Sequence, residues 1–318
     1  LFYVASTRAK NRLYLTAGED YGGKRAKKIS PFVMEFLEEV STDRLKHRLN
    51  PLEKIERFKK IKNDHIKIEN RFKKDIIRLS RQQIDDYFTC PKKFYFVNIA
   101  KIPLVENHNL MYGTAIHNNL DRYFRHKMIN QPIDFDQMIK IFDQSFKNVG
   151  FISRQQEDLR KSEGIKTLAR FYDHDQKKPL LPDQIEDKFE FSLNGVIVNG
   201  RYDMVVKDKG LPTIIDFKTS AVKDQKDADS RIKKSTQMMI YALSWYKKYN
   251  QIPTTSLYFI ENDIISSIIF PPKKIDETAA TIEEVATGIK NGEFTAKPNL
   301  MQCRYCPYKD LCQESKQS

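Results

Sequence analysis

No stretch of this sequence stays apolar over the ~20 residues needed to cross a bilayer, and mean hydropathy is −0.60. Leu1 to Lys10 lack the charged start, apolar middle and small-residue cleavage site of a secretory signal. A soluble, cytoplasmic chain is therefore the expectation. Cysteine is scarce: Cys90, Cys303, Cys306 and Cys312 are the only four. In a basic chain without export signals, thiols spaced this way point to metal ligation rather than to a disulfide framework. A phosphate-cradling G-x-x-x-x-G-K-[ST] segment is absent, so ATP hydrolysis by these 318 residues alone is not expected.

What is present is positive charge. Lysine and arginine total 55 against 42 acidic residues, a formal charge of +13. Residues 1–75 hold 19 of the basic and 11 of the acidic groups, +8 of that excess. Such a balance favours a polyanionic partner, and nucleic acid above all.

The period of the apolar residues divides the chain. Ser30-Pro31 with Phe32, Val33, Phe36 and Leu37 predicts a short helix, with proline in its first turn. Residues 41–75 read as a basic linker, giving expected segments of 1–40, 41–75 and 76–318. Ser80-Arg81-Gln82-Gln83 is a capping box opening a helix that Cys90-Pro91 interrupts. Helices are predicted near 111–128, 135–147 and 155–174. Beyond Pro182 the period becomes two, with Asn194-Gly195 as a hairpin turn and a return strand from Val196 to Val206. A Lys207–Gly210 turn leads into the strand 213–218. A helix near 233–249, strands near 256–260 and 264–270, and a helix near 275–290 follow. The expectation is an α/β fold of the α+β kind, with a mixed sheet.

Asp216 and Lys218, two apart on one strand, leave the same face. Antiparallel pairing across the Lys207–Gly210 turn brings Asp203 beside Asp216. Two converging carboxylates repel unless a cation neutralises them, and hard oxygen ligands suit Mg²⁺ or Mn²⁺. His117 opens a helix with Gly113-Thr114-Ala115-Ile116, and Gln237 and Tyr241 share a helix face at i and i+4.

The ordered set G-x-x-x-H (Gly113 to His117), G-x-x-D (Gly200 to Asp203), D-x-K (Asp216 to Lys218) and Q-x-x-x-Y (Gln237 to Tyr241) resembles the RecB-like branch of the PD-(D/E)XK nucleases over roughly residues 78–318. That resemblance implies a restriction-endonuclease-like core. It also implies His117, Asp203, Asp216 and the Phe217 carbonyl as metal ligands, Lys218 as the group assisting the attacking water, and Gln237 and Tyr241 as strand-positioning residues. Glu186 and Glu190 flank a strand where relatives often carry a glutamate, and neither is assigned a role. Cys303-x-x-Cys306-x₅-Cys312 with the distant Cys90 resembles the [4Fe–4S] ligand set of AddB-type nucleases, with Zn²⁺ as the alternative. Closing a loop of that length implies roughly 5 kcal/mol of chain-entropy stabilisation. Leu1 to Lys10, with Arg12-Leu13-Tyr14-Leu15, resembles motif VI of UvrD/Rep-type superfamily 1 helicases, with Arg8 as the γ-phosphate contact of a parent enzyme. The expected protein is thus a metal-dependent DNA nuclease, an exonuclease by preference, acting in repair or recombination near the nucleoid. Its expected partners are DNA, the rest of a helicase and a second helicase–nuclease subunit. The rival is a DNA-binding module without cleavage.

Overall fold

The computed structural model describes residues 7, 13, 15, 29–37, 70–72, 75–104, 107–208 and 210–315. The chain divides into two compact units, 1–66 and 67–318. In the first, α1 (Pro31–Phe36) starts at the Ser30-Pro31 signal, where the missing proline N–H costs nothing. Thr7 is helical, and Leu13 and Leu15 lie in neither helix nor strand. Arg8 and most of 41–75 lie outside the described residues.

The second unit begins ahead of the expected residue 76. Phe72 is buried, its ring centroid 5.6 Å from that of Phe94, and the Asn70 amide donates to the Ile289 carbonyl at 2.7 Å. Strand β1 (Ile77–Ser80) runs into α2 (Arg81–Thr89), whose start is the expected reciprocal capping box of Ser80 and Gln83. α2 stops at Cys90, held extended at φ −162° and ψ 114° because the following proline disfavours helical backbone there. α3 (Pro91–Phe94) and a π turn (Tyr95–Ile99) follow. Three helices then form one layer: α4 (His108–Met128), α5 (Phe135–Ser145) and α6 (Arg154–Lys177). Each is capped by a side chain the sequence supplies, Asn107, Asp134 and Ser153.

The strands make two sheets rather than one. β2 is Gln184–Ile185, β3 is Lys188–Leu193, β4 is Val196–Arg201, β5 is Met204–Asp208 and β6 is Leu211–Lys218. After the crossover helices α7 (Gln225–Lys233) and α8 (Thr236–Tyr249) come β7 (Thr254–Phe259) and β8 (Ile264–Ile268). α9 (Pro272–Asn291) and α10 (Leu300–Arg304) are the last described helices. One sheet has the order β1-β4-β3 and the other β2-β5-β6-β7-β8. β1 pairs parallel with β4 and β6 with β7; the remaining pairs are antiparallel. The fold is mixed α/β, as expected.

One further expectation is corrected. The return strand Val196–Val206 is broken at Tyr202-Asp203, and its halves join different sheets. Tyr202 causes the break: its ring centroid lies 4.8 Å from that of Phe189 and 5.2 Å from that of Tyr241, and its hydroxyl pairs with the Ser244 hydroxyl at 2.6 Å. Gly200 leaves room for Phe189, whose ring an added Cβ would meet at 2.3 Å. The helix expected near 233–249 is α8, which Ser235 caps by accepting from the Met238 N–H at 3.3 Å; α7, before it, was not expected.

β6 lies between two apolar cores. Ile215 and Phe217 face α4 to α6, with the Phe217 and Phe124 rings stacked at 5.8 Å. Ile214 belongs to the other core, with α2, α8 and α9. Alternation along the strand puts Asp216 and Lys218 on the Ile214 side, opposite α8.

Candidate active site

Asp203 stands where the chain changes sheets. Met204 is register partner of Ile215, so the next position places Asp203 level with Asp216. The Asp203 carbonyl accepts from the Glu186 N–H at 3.0 Å, and its carboxylate accepts from the Phe217 N–H at 3.0 Å. His117, from the third turn of α4, brings Nδ1 to 3.4 Å from the same Asp203 oxygen. It also reaches the Phe217 backbone. The sequence therefore brings His117, Asp203 and Asp216 to one end of β6 by three different routes.

Asp216 is 2% exposed. The Lys218 ammonium lies 2.6 Å from its Oδ2 and donates to Gln237 Oε1 at 2.7 Å. Gln237 Nε2 donates back to Asp216 Oδ1 and, at 2.9 Å, to the Tyr241 hydroxyl. Tyr241 donates in turn to the Arg201 carbonyl at 2.8 Å. Gln237 and Tyr241 therefore frame Asp216 and Lys218, and Tyr241, 2% exposed, presents no open face. This frame was not legible from the i, i+4 spacing alone.

Electrostatics follows from burial and crowding. Burial first, and then repulsion by Asp216, pushes the Asp203 carboxyl well above the usual range. Burial lowers His117, with Lys218 and Arg201 adding to the effect against Asp216, so the imidazole stays neutral at neutral pH, its ligating form. Burial, then Asp216 and Asp203, pushes the Tyr241 phenol up, and it remains a donor. A neutral imidazole and two mutually repelling carboxylates fit a hard divalent ion in donor type. As placed, no three His, Cys, Asp or Glu side chains among the described residues close into ligand geometry.

Glu186 adds a carboxylate that the sequence did not assign. It sits at φ +53°, its side chain paired with Arg201, and burial raises it while Arg201 opposes. Its charge is among those acting on Asp203. Glu190 instead pairs with Arg78 at 2.5 Å on the exposed side of the other sheet.

Cys90, Cys303, Cys306 and Cys312 all line one cavity of about 140 Å³, with Lys92, Lys297 and Lys309 among its other walls. All four are free thiols, and Cys90 Sγ accepts from the Lys297 N–H at 3.5 Å. Tyr308 fixes the C-terminal trio to the segment just after the π turn, donating to the Ile102 carbonyl at 2.9 Å. Four thiols on one cavity fit a four-thiolate centre in donor type.

Residues 78–313 match the PD-(D/E)XK nuclease superfamily, which spans most of the chain. The chain belongs to that superfamily. Members use divalent metals such as Mg²⁺, and this PD-(D/E)XK chain carries Asp203, Asp216 and Lys218 at the end of β6. It is 25% identical over 266 residues to the Gene 69 protein of Mycobacterium phage D29, covering 73% of this chain and 95% of that one. Among solved structures, a Eubacterium rectale protein whose description as an exonuclease is itself provisional shares 14% identity at a TM-score of 0.49, with 81% of this chain and 94% of that chain covered. SSO0001 shares 14% identity at a TM-score of 0.34, over 74% and 95% of the two chains. Among the described residues, no helix is long and apolar enough to cross a membrane.

Proposed function

We propose that this PD-(D/E)XK protein is a divalent-metal-dependent deoxyribonuclease, an exonuclease by preference, serving DNA repair or recombination. The observation that carries the reading is the convergence of Asp203 and Asp216, level with each other where β5 pairs with β6, with Lys218 at 2.6 Å from Asp216. His117, Asp203 and Asp216, with the Phe217 carbonyl, would hold the ion. When bound, Mg²⁺ or Mn²⁺ supplies a nucleophilic water at neutral pH and neutralises charge on the phosphate. Lys218 orients the attacking water and shares the developing negative charge. Gln237 holds the Lys218 ammonium and the Asp216 carboxylate in fixed relation, so that neither reorganises as charge builds.

The four cysteines hold a [4Fe–4S] cluster in this reading, with Zn²⁺ as the second choice; their shared cavity supports it. Hydrolysis transfers no electron, so the centre is structural and joins Cys90 to the C-terminal trio. The motif VI-like start and the basic segment after it support a parent superfamily 1 helicase, cytoplasmic and nucleoid-associated, with a second helicase–nuclease subunit as partner. The test is cleavage of end-labelled single- and double-stranded DNA by anaerobically purified protein in Mg²⁺, Mn²⁺ or EDTA. A metal-dependent ladder growing from one end supports an exonuclease. Tight DNA binding with no cutting in any metal would replace this reading with that of a binding module.

A further inference from the structure

Most cations around the site are already engaged. Lys218 is held by Asp216 and Gln237, Arg201 by Glu186 and Lys93 by Asp86 at 2.8 Å. Arg81 differs. Among the described residues its one hydrogen bond is to Gln82 Oε1, its exposed neighbour in sequence, at 3.2 Å.

Its place follows from strand register. β1 runs parallel to β4 with Ser80 beside Asn199, so the chain leaves the sheet at Arg81 level with Gly200-Arg201. The Arg201 carbonyl is the group to which Tyr241 donates, which puts Arg81 at the same edge as the Asp216 frame. The Arg81 charge is among those acting on the Tyr241 phenol and on Asp85. Asp85, one turn further along α2, is half-buried. It makes no side-chain hydrogen bond or ion pair among the described residues, and Lys218 is one of the cations acting on it. A guanidinium with its fork nearly free therefore stands at the rim of a site whose substrate is a polyanion, with one unpaired carboxylate behind it.

We propose that Arg81 is a substrate-positioning residue that binds a DNA backbone phosphate neighbouring the one to be cut, with the unpaired Asp85 carboxylate one turn away as a like charge that opposes that phosphate. A guanidinium matches phosphate oxygens bidentately. Lysine in its place would keep the charge and lose the fork. The proposal rests on the nuclease reading for its substrate, and its test is arranged to be independent of cutting.

That test is the binding of a fluorescein-labelled single-stranded oligonucleotide in EDTA over a range of salt concentrations. It compares wild type, Arg81→Gln, Asp85→Asn and the control Arg78→Ala, with KM and kcat measured separately in Mg²⁺. Arg81→Gln is expected to weaken binding about tenfold at low salt and to reduce the slope of log Kd against log salt by about 0.7, the value for one phosphate on a single strand. KM rises with little change in kcat, and melting temperature stays at the wild-type value. Asp85→Asn, which removes a negative charge behind the phosphate contact, tightens binding about two- to threefold. Arg78→Ala, the same loss of charge from a residue paired with Glu190, leaves the slope within error. An Arg81→Gln slope equal to wild type, an Arg78→Ala loss as large as that of Arg81→Gln, or weaker binding by Asp85→Asn would each overturn the proposal. If wild type fails to cut but Arg81→Gln still loses the slope, the nuclease reading falls and this contact stands; if wild type cuts and the slope is unchanged, the reverse holds.

Discussion

Gln237 touches Asp216, Lys218 and Tyr241 at once, so its replacement by alanine disconnects the frame without removing a charge. Two of the lost hydrogen bonds involve ionised partners, and such bonds contribute about 1.5 kcal/mol each at the low end. Lys218 is 33% exposed in its side chain, so water makes good part of its loss, while Asp216 is almost wholly buried and cannot be rescued that way. With the Lys218 share discounted for that exposure, the two give about 2 kcal/mol of misplaced charge in the transition state, which at about 1.36 kcal/mol per decade is a fall of roughly 30-fold in kcat. KM for DNA should change little, since neither lost contact is to substrate. The assay is initial rate on end-labelled DNA at saturating Mg²⁺, with Lys218→Ala and the double mutant alongside. Because Gln237 acts through Lys218 and Asp216, the double mutant should be little worse than Lys218→Ala alone. A Gln237→Ala enzyme within threefold of wild type, or losses that multiply in the double mutant, would refute the frame as argued.

Cys306→Ala should lose iron and melting temperature together, seen by absorbance near the cluster bands and by calorimetry; an iron-free variant that melts like wild type would contradict the staple. Gly200→Ala drives a methyl to within 2.3 Å of the Phe189 ring, and overpacking of this kind should destabilise the fold by about 1–3 kcal/mol in urea titration. Burial and Asp216 keep the Asp203 carboxyl protonated to a higher pH than usual, and ion binding needs its anion. Mn²⁺ affinity should therefore fall as pH is lowered through that raised value; calorimetric titration giving a flat profile would count against Asp203 as a ligand. Without a phosphate-cradling loop, the chain should hydrolyse no ATP with or without DNA in a coupled assay.

Much of this was legible locally. The capping box at Ser80 and Gln83, the Asn194-Gly195 turn and the Asp216-x-Lys218 pair are short-range signals, and each stands where its spacing put it. The break at Tyr202-Asp203 was not legible, because apolar alternation runs through Val198, Gly200, Tyr202 and Met204 without a fault. What breaks the strand is the packing of Tyr202 among Phe189, Tyr241 and Ser244, distant in sequence. The same holds for Gln237, whose helix face could be read but whose partners Asp216 and Lys218 arrive from another strand. Glu186 escaped assignment because its role depends on a positive φ and on Arg201, neither visible from its neighbours. Helix α7 was not foreseen because it is mostly polar, with Ala228 and Ile232 as its buried residues.

The central claim is that metal held at Asp203 and Asp216 cuts DNA, and Asp216→Ala tests it most directly when cleavage and DNA binding are measured on the same preparation. The account predicts Mn²⁺-dependent cutting by wild type, a loss of at least ~10³-fold in the variant, and DNA binding within a few-fold of wild type, because the lost group orders the reaction and not the strand. Cutting by Asp216→Ala at more than a tenth of the wild-type rate would contradict it.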